Sequence, residues 1–275
     1  MIHLKPNEFF LNSKSSITTE LRSPQEPFPE HYHSFEEIII VSNGSGIHVI
    51  NDIPMCLSKN YVCFVAQRDR HLFENVSDLF LSNVLFIRDK FQSCPQLSQF
   101  LPSTETGSVE WFIEDETAQR VNYIIERLNF ESHCNNVSSE AMSELLFQQL
   151  IVELWRGKIV DTERLSPDDR VIAALVHINN NYASALNIDS LACFANLPVR
   201  VLTKEIKRAT GMSFNQYLHF IRAKQAMYLL INTEHSITDI AFDVGYSDSN
   251  YFSTKFKQVL NKKPRDIRVN YRKPL

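Results

Sequence analysis

The C-terminal part of the chain contains an internal repeat, which constrains the fold more than any other feature of the sequence. The pair Leu-Ala at 191–192 recurs as Ile-Ala at 240–241, an offset of 49 residues. After each pair the pattern breaks and continues as a basic, amphipathic helix. A short helix, a tight turn and a second helix form a helix-turn-helix unit. The repeat therefore predicts two such units, at about 189–210 and 237–260.

Each predicted unit carries, at its turn, a residue suited to the left-handed backbone. Gly245 can end the first helix of the second unit, and Asn196 takes the same place in the first unit. Ser247 is expected to cap the helix that follows Gly245. In the first unit, Pro198 suits the opening turn of the second helix.

The segment between the two units reads as one long helix. Residues 213–232 carry a single apolar stripe at helical spacing. Twenty helical residues span about 30 Å, and successive major-groove faces of a DNA duplex lie about 34 Å apart. A rigid helix of this length can hold two recognition helices in adjacent major grooves. The repeat and this spacing together predict binding to double-stranded DNA.

The charge is divided unevenly along the chain, although the net charge is only −4. Residues 1–165 contain 13 Lys+Arg and 23 Asp+Glu, whereas residues 166–275 contain 15 Lys+Arg and 9 Asp+Glu. An acidic part joined to a basic part indicates that the second part meets a polyanion. We therefore expect two domains, 1–165 and 166–275, joined by a polar linker at 157–169.

The N-terminal part has the pattern of a small antiparallel barrel with helices attached. Residues 30–90 contain short strands separated by turn signals, and Asn-Gly-Ser-Gly at 43–46 predicts a hairpin turn. Two amphipathic helices follow, at about 116–129 and from 138 onward. They either pack on the barrel or form a dimer surface, and the sequence favours neither. The expected fold class is α+β, with an all-α second domain.

Composition excludes several classes of protein. Apolar residues make up 44% of the chain and charged residues 22%, as in ordinary globular domains. No apolar run approaches the ~20 residues of a membrane span, and the N-terminus lacks the pattern of a signal peptide. The 5 cysteines are scattered, which predicts neither a disulfide framework nor a zinc site. We expect a cytoplasmic protein that needs no cofactor, touches no membrane and is not an enzyme.

A family resemblance supports the DNA-binding prediction. Residues 237–268, ITDIAFDVGYSDSNYFSTKFKQVLNKKPRDIR, resemble the signature of the AraC/XylS family of bacterial transcription regulators. The resemblance covers about residues 170–270. Asn261 stands where the family usually has Gly, and Pro198 stands where it usually has a capping Ser. Asn261 can adopt the same backbone, whereas Pro198 removes a cap worth ~1 kcal/mol.

The N-terminal half extends this resemblance to one branch of the family. The stretches FPEHYHSFEEIIIVSNGSGIHVIN and VCFVAQRDRHLFENVSDLFLSNVLF are similar to those of its L-rhamnose-responsive activators. The resemblance implies a cupin-type barrel that binds L-rhamnose as the effector. It also implies a homodimer on DNA that contacts the sigma factor of RNA polymerase and activates operons for rhamnose catabolism and transport.

A cluster of polar residues is the candidate effector site. His31, His33 and Glu37, followed by Gly44, resemble the first cupin motif, and His71 resembles the start of H-x3-N in the second. On one strand, alternation would point the first three to one face. Such a set can form structural hydrogen bonds, bind a sugar or bind a divalent metal. We favour a metal-free sugar site; the alternatives are a regulator that senses another sugar and a metal-dependent cupin enzyme.

Basic side chains in the second helix of each unit are the candidate DNA contacts. Arg200 and Lys204 lie one turn apart near the start of the first recognition helix, where base edges are expected. The alternative is contact with phosphates alone. The remaining candidates are Lys207, Arg208, Asn250, Lys255 and Lys257, with Lys262 and Lys263 as phosphate contacts or solvated surface.

Two carboxylates stand out on the basic domain. The resemblance implies that Asp239 and Asp248 contact the sigma factor. Asp239, at the start of a helix, can instead serve only to complement the helix dipole. Asp248 can alternatively accept a hydrogen bond from a cytosine.

Overall fold

A computed structural model describes residues 1–90, 99–102, 109–159 and 169–271 of the chain. The chain divides into two compact units, Met1–Asp169 and Arg170–Leu275. The expected linker falls largely on residues 160–168, which lie outside the described residues. The predicted α+β fold class is confirmed, because the first unit combines a sheet with helices and the second unit, where described, is helical.

The N-terminal unit is built on one eight-stranded sheet. The strand order is β1-β3-β7-β4-β6-β8, with β2 paired to β7 and β5 paired to β4. All these pairs are antiparallel except β1 with β3, which is parallel. The strands are β1 (Ile2–Leu4), β2 (Ile17–Arg22), β3 (Phe28–His33), β4 (Glu36–Ile50), β5 (Ile53–Leu57), β6 (Tyr61–Val65), β7 (His71–Phe86) and β8 (Val109–Phe112).

The predicted hairpin turn at 43–46 is wrong. Strand β4 continues through this stretch and stays paired with β7 on both sides of it. The register shifts repeatedly between 41 and 47, so the extra residues form bulges that bend the strand. Gly44 has φ +79°, and a Cβ there would lie 1.9 Å from the carbonyl oxygen of Asp78. The glycine therefore marks the close approach of two backbones, which a sequence pattern cannot distinguish from a turn.

Two helices complete the core of the N-terminal unit. Helix α1 (Asp115–Ser132) and helix α2 (Val137–Arg156) place their buried faces against the sheet. Ile125 of α1 and Phe147 of α2 lie in one buried cluster with Phe86 of β7. Full burial of such a side chain contributes roughly 1.5–3 kcal/mol. The inner faces therefore pack on the sheet, as one of the two sequence interpretations proposed.

The described part of the C-terminal unit consists of helices, and it contains both predicted helix-turn-helix units. The first unit is formed by α4 and α5 and the second by α7 and α8, with α6 as the long helix between them. The helices are α3 (Arg170–Asn181), α4 (Ile188–Phe194), α5 (Val199–Thr210), α6 (Phe214–Asn232), α7 (Ile237–Asp243), α8 (Ser249–Leu260) and α9 (Pro264–Tyr271). Among the described residues, no helix is long and apolar enough to cross a membrane.

Both turns have the expected left-handed backbone. Asn196 has φ +49° and Gly245 has φ +91°. At Gly245 a Cβ would lie 2.5 Å from the carbonyl oxygen of Ala183, so the position excludes side chains by space as well as by conformation. Asn261 ends α8 in the left-handed region with φ +51°, in the role that a glycine would otherwise fill.

The helix starts differ between the two units. Pro198 occupies the N-cap of α5 and makes no side-chain cap, which leaves one more backbone donor to solvent. The predicted cap at Ser247 is wrong. Helix α8 begins at Ser249, and the Asp248 side chain accepts a hydrogen bond from the Tyr251 backbone N–H at 2.6 Å.

Candidate functional site

The polar cluster predicted from sequence lies where three strands of the N-terminal sheet meet. His33 ends β3, Glu37 is near the start of β4, and His71 begins β7. Each of these three side chains is buried. A bend at 34–35 puts His33 and Glu37 on separate strands, so they meet by strand pairing and not by alternation along one strand.

Three polar atoms of this cluster converge. Nε2 of His33, Oε2 of Glu37 and Nε2 of His71 all lie within 4.8 Å of one another. Oε2 of Glu37 is 3.4 Å from Nε2 of His33 and 3.7 Å from Nε2 of His71. These separations exceed the usual 2.7–3.2 Å of an N–H···O hydrogen bond. None of the three atoms has a hydrogen-bond partner among the described residues.

The other nitrogen of each imidazole is anchored. Nδ1 of His33 lies 2.6 Å from the carbonyl oxygen of Phe35, and a carbonyl can only accept a hydrogen bond. Nδ1 of His33 therefore carries the hydrogen. Nδ1 of His71 lies 2.8 Å from Nε2 of His48, a fully buried histidine that sequence reasoning missed. The signal for His48 is its place in the alternating strand Ile47–Ile50, where it shares the buried face with Ile50.

Burial keeps His31, His48 and His71 neutral. It lowers the pKa of His48 to about 3. Burial, together with the neighbouring imidazoles, also holds the pKa of His71 well below its usual value. The pKa of His31 is lowered mainly by burial as well. These imidazoles are therefore uncharged at neutral pH, and a neutral ring offers a nitrogen lone pair as a ligand or acceptor.

His31 lies beside the convergent atoms but does not join them. Its Nδ1 is 2.9 Å from the carbonyl oxygen of Pro29, and its ring centroid is 4.0 Å from that of His71. Of the residues predicted for this site, the structure brings His33, Glu37 and His71 together through their polar atoms. It brings His31 alongside them only through its ring.

A cavity of about 240 Å³ adjoins this cluster. His31, His33 and Glu37 line one side of it, and aromatic and aliphatic side chains line most of the remainder. Its further polar residues are Glu20, Arg22, Gln25, Glu26 and Asn83. Its volume is below the roughly 300–1,000 Å³ of sites for drug-sized ligands, as suits a smaller molecule.

Two features of the cavity were absent from the sequence prediction. Asn83 on β7 has a buried side-chain oxygen with no hydrogen-bond partner among the described residues. On β2, Arg22 and Glu20 form an ion pair at 3.1 Å. The alternating stretch Ile17–Arg22 was the available signal for β2, but it lies ahead of the strands predicted from residue 30 onward.

Helix α5 presents a basic face. Arg200, Lys204, Lys207 and Arg208 are all exposed, while Leu202 and Ile206 on the opposite face are buried. Arg208 donates to Glu205 at 2.7 Å. Arg200, Lys204 and Lys207 make no side-chain hydrogen bond or ion pair within the described residues. These three cations are thus available to a ligand outside the helix.

Helix α8 presents a more mixed face. Asn250 and Lys257 are exposed. Lys255 is half-buried, with its Nζ 5.4 Å from the Tyr251 ring centroid and 3.2 Å from Oε1 of Gln258. Lys262 and Lys263, which follow the helix, are exposed.

The two predicted sigma-factor contacts both take part in helix caps. The Asp239 carboxylate accepts from the Ser236 hydroxyl at 2.7 Å and completes a capping box at the start of α7. Asp248 caps α8. Both side chains remain exposed, so each carboxylate has a structural role and is also accessible to a partner.

Arg222 on α6 is a buried structural residue that sequence reasoning counted only as charge. Its guanidinium donates to the carbonyl oxygens of Tyr182 and Ser184 at 2.8 and 2.9 Å and lies 5.1 Å from the Tyr246 ring centroid. Arg222 thereby ties the loop between α3 and α4 to the long helix and to the second turn.

Comparison with known protein families assigns both parts of the chain. Residues 14–151 match the family model of the AraC-like ligand binding domain, and residues 191–270 match that of a helix-turn-helix domain. The first match contains the buried cluster and every lining residue of the cavity except Leu4 and Phe9, and the second contains α5 and α8.

Individual proteins match over most of the chain. The HTH-type transcriptional activator RhaS of Yersinia pestis (strain Pestoides F) is 39% identical over 267 residues, covering 95% of this chain and 96% of that protein. RhaS of Yersinia pseudotuberculosis serotype O:1b (strain IP 31758) has the same identity and coverage. Among solved structures, the C-terminal domain of AraT, a response regulator from Geobacillus stearothermophilus, is 37% identical with a TM-score of 0.36. That alignment covers 39% of this chain and 88% of that one.

Proposed function

The chain belongs to the AraC family and is a transcriptional activator of the RhaS type, and from this premise we propose that it activates rhamnose operons in response to L-rhamnose. The observation that carries the proposal is that the similarity to RhaS spans 95% of the chain. It therefore includes the ligand-binding domain and the DNA-binding domain together. L-rhamnose itself follows from the resemblance of the N-terminal half to rhamnose-responsive activators.

The effector would occupy the 240 Å³ cavity of the N-terminal unit. A sugar presents hydroxyl groups on its edges and C–H groups on its faces, so it needs polar and apolar walls together. His31, His33 and Glu37 on one side and Asn83 on another supply the polar groups, and Phe73 is among the apolar ones.

DNA recognition would rest chiefly on α5. Arg200 and Lys204 are exposed one turn apart, and a guanine contact by arginine contributes about 1–3 kcal/mol of discrimination. Lys207 and Arg208 would bind phosphates. In the second unit, Asn250 would read a base, while Lys255 and Lys257 would bind the backbone, with a smaller share for Lys255 because it already contacts Tyr251 and Gln258.

Activation would use a contact with the sigma factor of RNA polymerase through Asp239 and Asp248. Both are exposed carboxylates on a basic domain, and both attract a basic partner surface. We further propose a cytoplasmic homodimer, formed through the outer faces of α1 and α2. These faces carry exposed apolar side chains, among them Tyr123, Phe130 and Leu145.

Thermal unfolding of the full chain with a panel of sugars tests the effector. Both tryptophans, Trp111 and Trp155, belong to the N-terminal unit, so their fluorescence reports on that unit. A ligand at 100 times its Kd stabilises by about 2.7 kcal/mol. L-rhamnose should raise the unfolding temperature, and Asn83→Ala should reduce the rise while Asn122→Ala, at an exposed position of α1, leaves it unchanged.

The sugar panel also separates the alternatives. A rise with another deoxy sugar and none with L-rhamnose would reject the rhamnose assignment and keep the family function. A second readout is sugar-dependent binding to a DNA fragment from a rhamnose catabolic promoter. Binding that does not respond to any sugar would contradict an effector-controlled activator.

A further inference from the structure

A second cavity lies in the N-terminal unit, on the face of the sheet opposite the proposed effector site. Its volume is about 280 Å³. Ile38 of β4 lines this cavity, whereas the preceding residue, Glu37, lines the effector cavity. Neighbouring residues of a strand point to opposite faces, so the sheet separates the two cavities. No described residue lines both of them.

The walls of this second cavity are mostly apolar. The rings of Phe100, Trp111 and Trp155 line it together with aliphatic side chains from β4, β8 and α2. The ring centroids of Phe100 and Trp155 lie 5.7 Å apart. Protein interiors are close-packed, and an apolar cavity of about 150 Å³ is already large enough to bind benzene. The observed volume therefore has room for one aromatic ring with a short chain attached.

One positive charge stands at this cavity. Among the described residues that line it, Lys158 is the only charged one. Its side chain is exposed, its Nζ lies 6.0 Å from the centroid of the Trp111 ring, and it makes no side-chain hydrogen bond or ion pair within the described residues. The backbone of Lys158 pairs with Ile113 directly after α2 ends, which holds the lysine near Trp111.

Trp111 adds a hydrogen-bond donor that lacks an acceptor. Its indole nitrogen is buried and has no partner among the described residues. An indole N–H and an ammonium group can only donate hydrogen bonds, and a buried donor without an acceptor is unfavourable. Trp111 and Lys158 therefore both favour a ligand that accepts hydrogen bonds, and the charge of Lys158 favours an anion.

We propose that this cavity binds a small aromatic carboxylate. The ring of the ligand would lie among the three aromatic side chains, where ring pairs prefer offset or edge-to-face arrangements. Its carboxylate would pair with the exposed ammonium of Lys158. An aromatic amine of the same size would bind poorly, because no carboxylate of the described residues lines the cavity. The N-terminal unit would then hold two ligands of different chemistry on opposite faces of one sheet.

A fluorescence titration of the full chain with phenylacetate tests the site. The chain contains 2 tryptophans, Trp111 and Trp155, and both line this cavity, so a bound ligand should change their emission directly. We expect a saturable change with phenylacetate. Two probes of the same size vary only the charge: neutral 2-phenylethanol should bind more weakly than phenylacetate, and cationic 2-phenylethylamine should bind most weakly.

Two variants test the charge and the space separately. Lys158→Met removes the ammonium at an exposed position. It should weaken phenylacetate binding about two- to fivefold and leave 2-phenylethanol binding unchanged. The matched control is Lys14→Met, because Lys14 is an exposed lysine of the same unit that does not line the cavity. Val109→Phe, which places a further ring in the cavity from β8, should weaken the binding of both ligands.

Asn83→Ala distinguishes this cavity from the effector site, because Asn83 lines only the latter. Phenylacetate should bind Asn83→Ala as it binds the unaltered chain, and weaker binding would overturn the proposal by placing the acid in the effector cavity. Three other results would also overturn it: no change in emission with any probe, equal affinities for phenylacetate and 2-phenylethylamine, or equal phenylacetate affinities in Lys158→Met and Lys14→Met. These expectations do not depend on the proposed response to L-rhamnose, so a failure of sugar binding would leave them unchanged.

Discussion

Replacement of Gly245 should unfold the second helix-turn-helix unit through two separable effects. The first is conformational, because φ +91° disfavours any residue with a Cβ by roughly 1–2 kcal/mol. The second is steric, because a Cβ would lie 2.5 Å from the carbonyl oxygen of Ala183 and 2.8 Å from its carbonyl carbon and Cα. These are backbone atoms, which cannot rotate away, and overpacking of this kind is destabilising by about 1–3 kcal/mol. Gly245→Ala should therefore destabilise by about 2–5 kcal/mol.

The variant Gly245→Asn separates the two effects. Asparagine tolerates the left-handed backbone, as Asn196 does at the corresponding turn of the first unit with φ +49°. If space is the limiting factor, Gly245→Asn should still be destabilising by more than about 1 kcal/mol. The matched change Asn196→Gly should alter stability by less than about 1 kcal/mol, since both residues suit that backbone.

Unfolding in urea, followed by two signals, provides the measurement. Circular dichroism at 222 nm reports on the helices of both units, most of which belong to the C-terminal unit, whereas the fluorescence of Trp111 and Trp155 reports on the N-terminal unit alone. Gly245→Ala should shift the first transition and lose promoter binding while the fluorescence transition remains. Wild-type stability of Gly245→Asn would refute the argument from space.

Three other predictions concern the C-terminal unit. Arg200→Ala should lower promoter discrimination by about 1–3 kcal/mol in competition binding. The guanidinium of Arg208 is paired with Glu205, and Arg208→Ala should weaken binding to all DNA sequences alike. Equal losses of discrimination in Arg200→Ala and Arg208→Ala would contradict the assignment. Asp248→Ala should destabilise α8 by about 1 kcal/mol in urea unfolding, whereas Asp248→Asn keeps a capping oxygen, so only activation in a transcription assay should fall. Burial, with Lys255 and Arg222 nearby, lowers the pKa of His219 below 6.5. The unfolded chain therefore binds a proton at His219 more readily than the folded chain does. The free energy of unfolding should fall as the pH drops below about 6.5. A His219→Gln variant with the same dependence of stability on pH would exclude His219 as its source.

The helical half was largely predictable because its determinants are local. The stripe of α6, the left-handed turns at Asn196 and Gly245 and the end of α8 at Asn261 each follow from the preferences of neighbouring residues. The predicted cap at Ser247 failed by one residue, because Ser and Asp both accept from a helix N-terminus. Pattern alone does not choose between adjacent capping residues.

The sheet and the cavity were less predictable because their determinants are not local. The stretch at 43–46 has the composition of a turn, but pairing with β7 holds it in an extended, bulged strand. Asn83 lies on β7 and His48 lies on β4, both among apolar residues. Only the register between these two strands shows which residues are their neighbours. Glu37 joins the cluster through pairing between strands, whereas the sequence prediction relied on alternation along one strand.

The two helix-turn-helix units differ in charge, and this difference divides the DNA-binding task between them. Residues 189–210 carry four cations and two carboxylates, whereas 237–260 carry two cations and three carboxylates. Phosphate binding releases counterions in proportion to the cations engaged, so the first unit should supply more of the salt-dependent affinity. Lys207→Ala should reduce the slope of log K for DNA binding against log salt concentration by about 1. Lys255→Ala should reduce this slope less, because the Lys255 ammonium already contacts Tyr251. Binding isotherms at several salt concentrations give both slopes. A larger change for Lys255→Ala would show that the second unit, despite its carboxylates, carries the electrostatic contact.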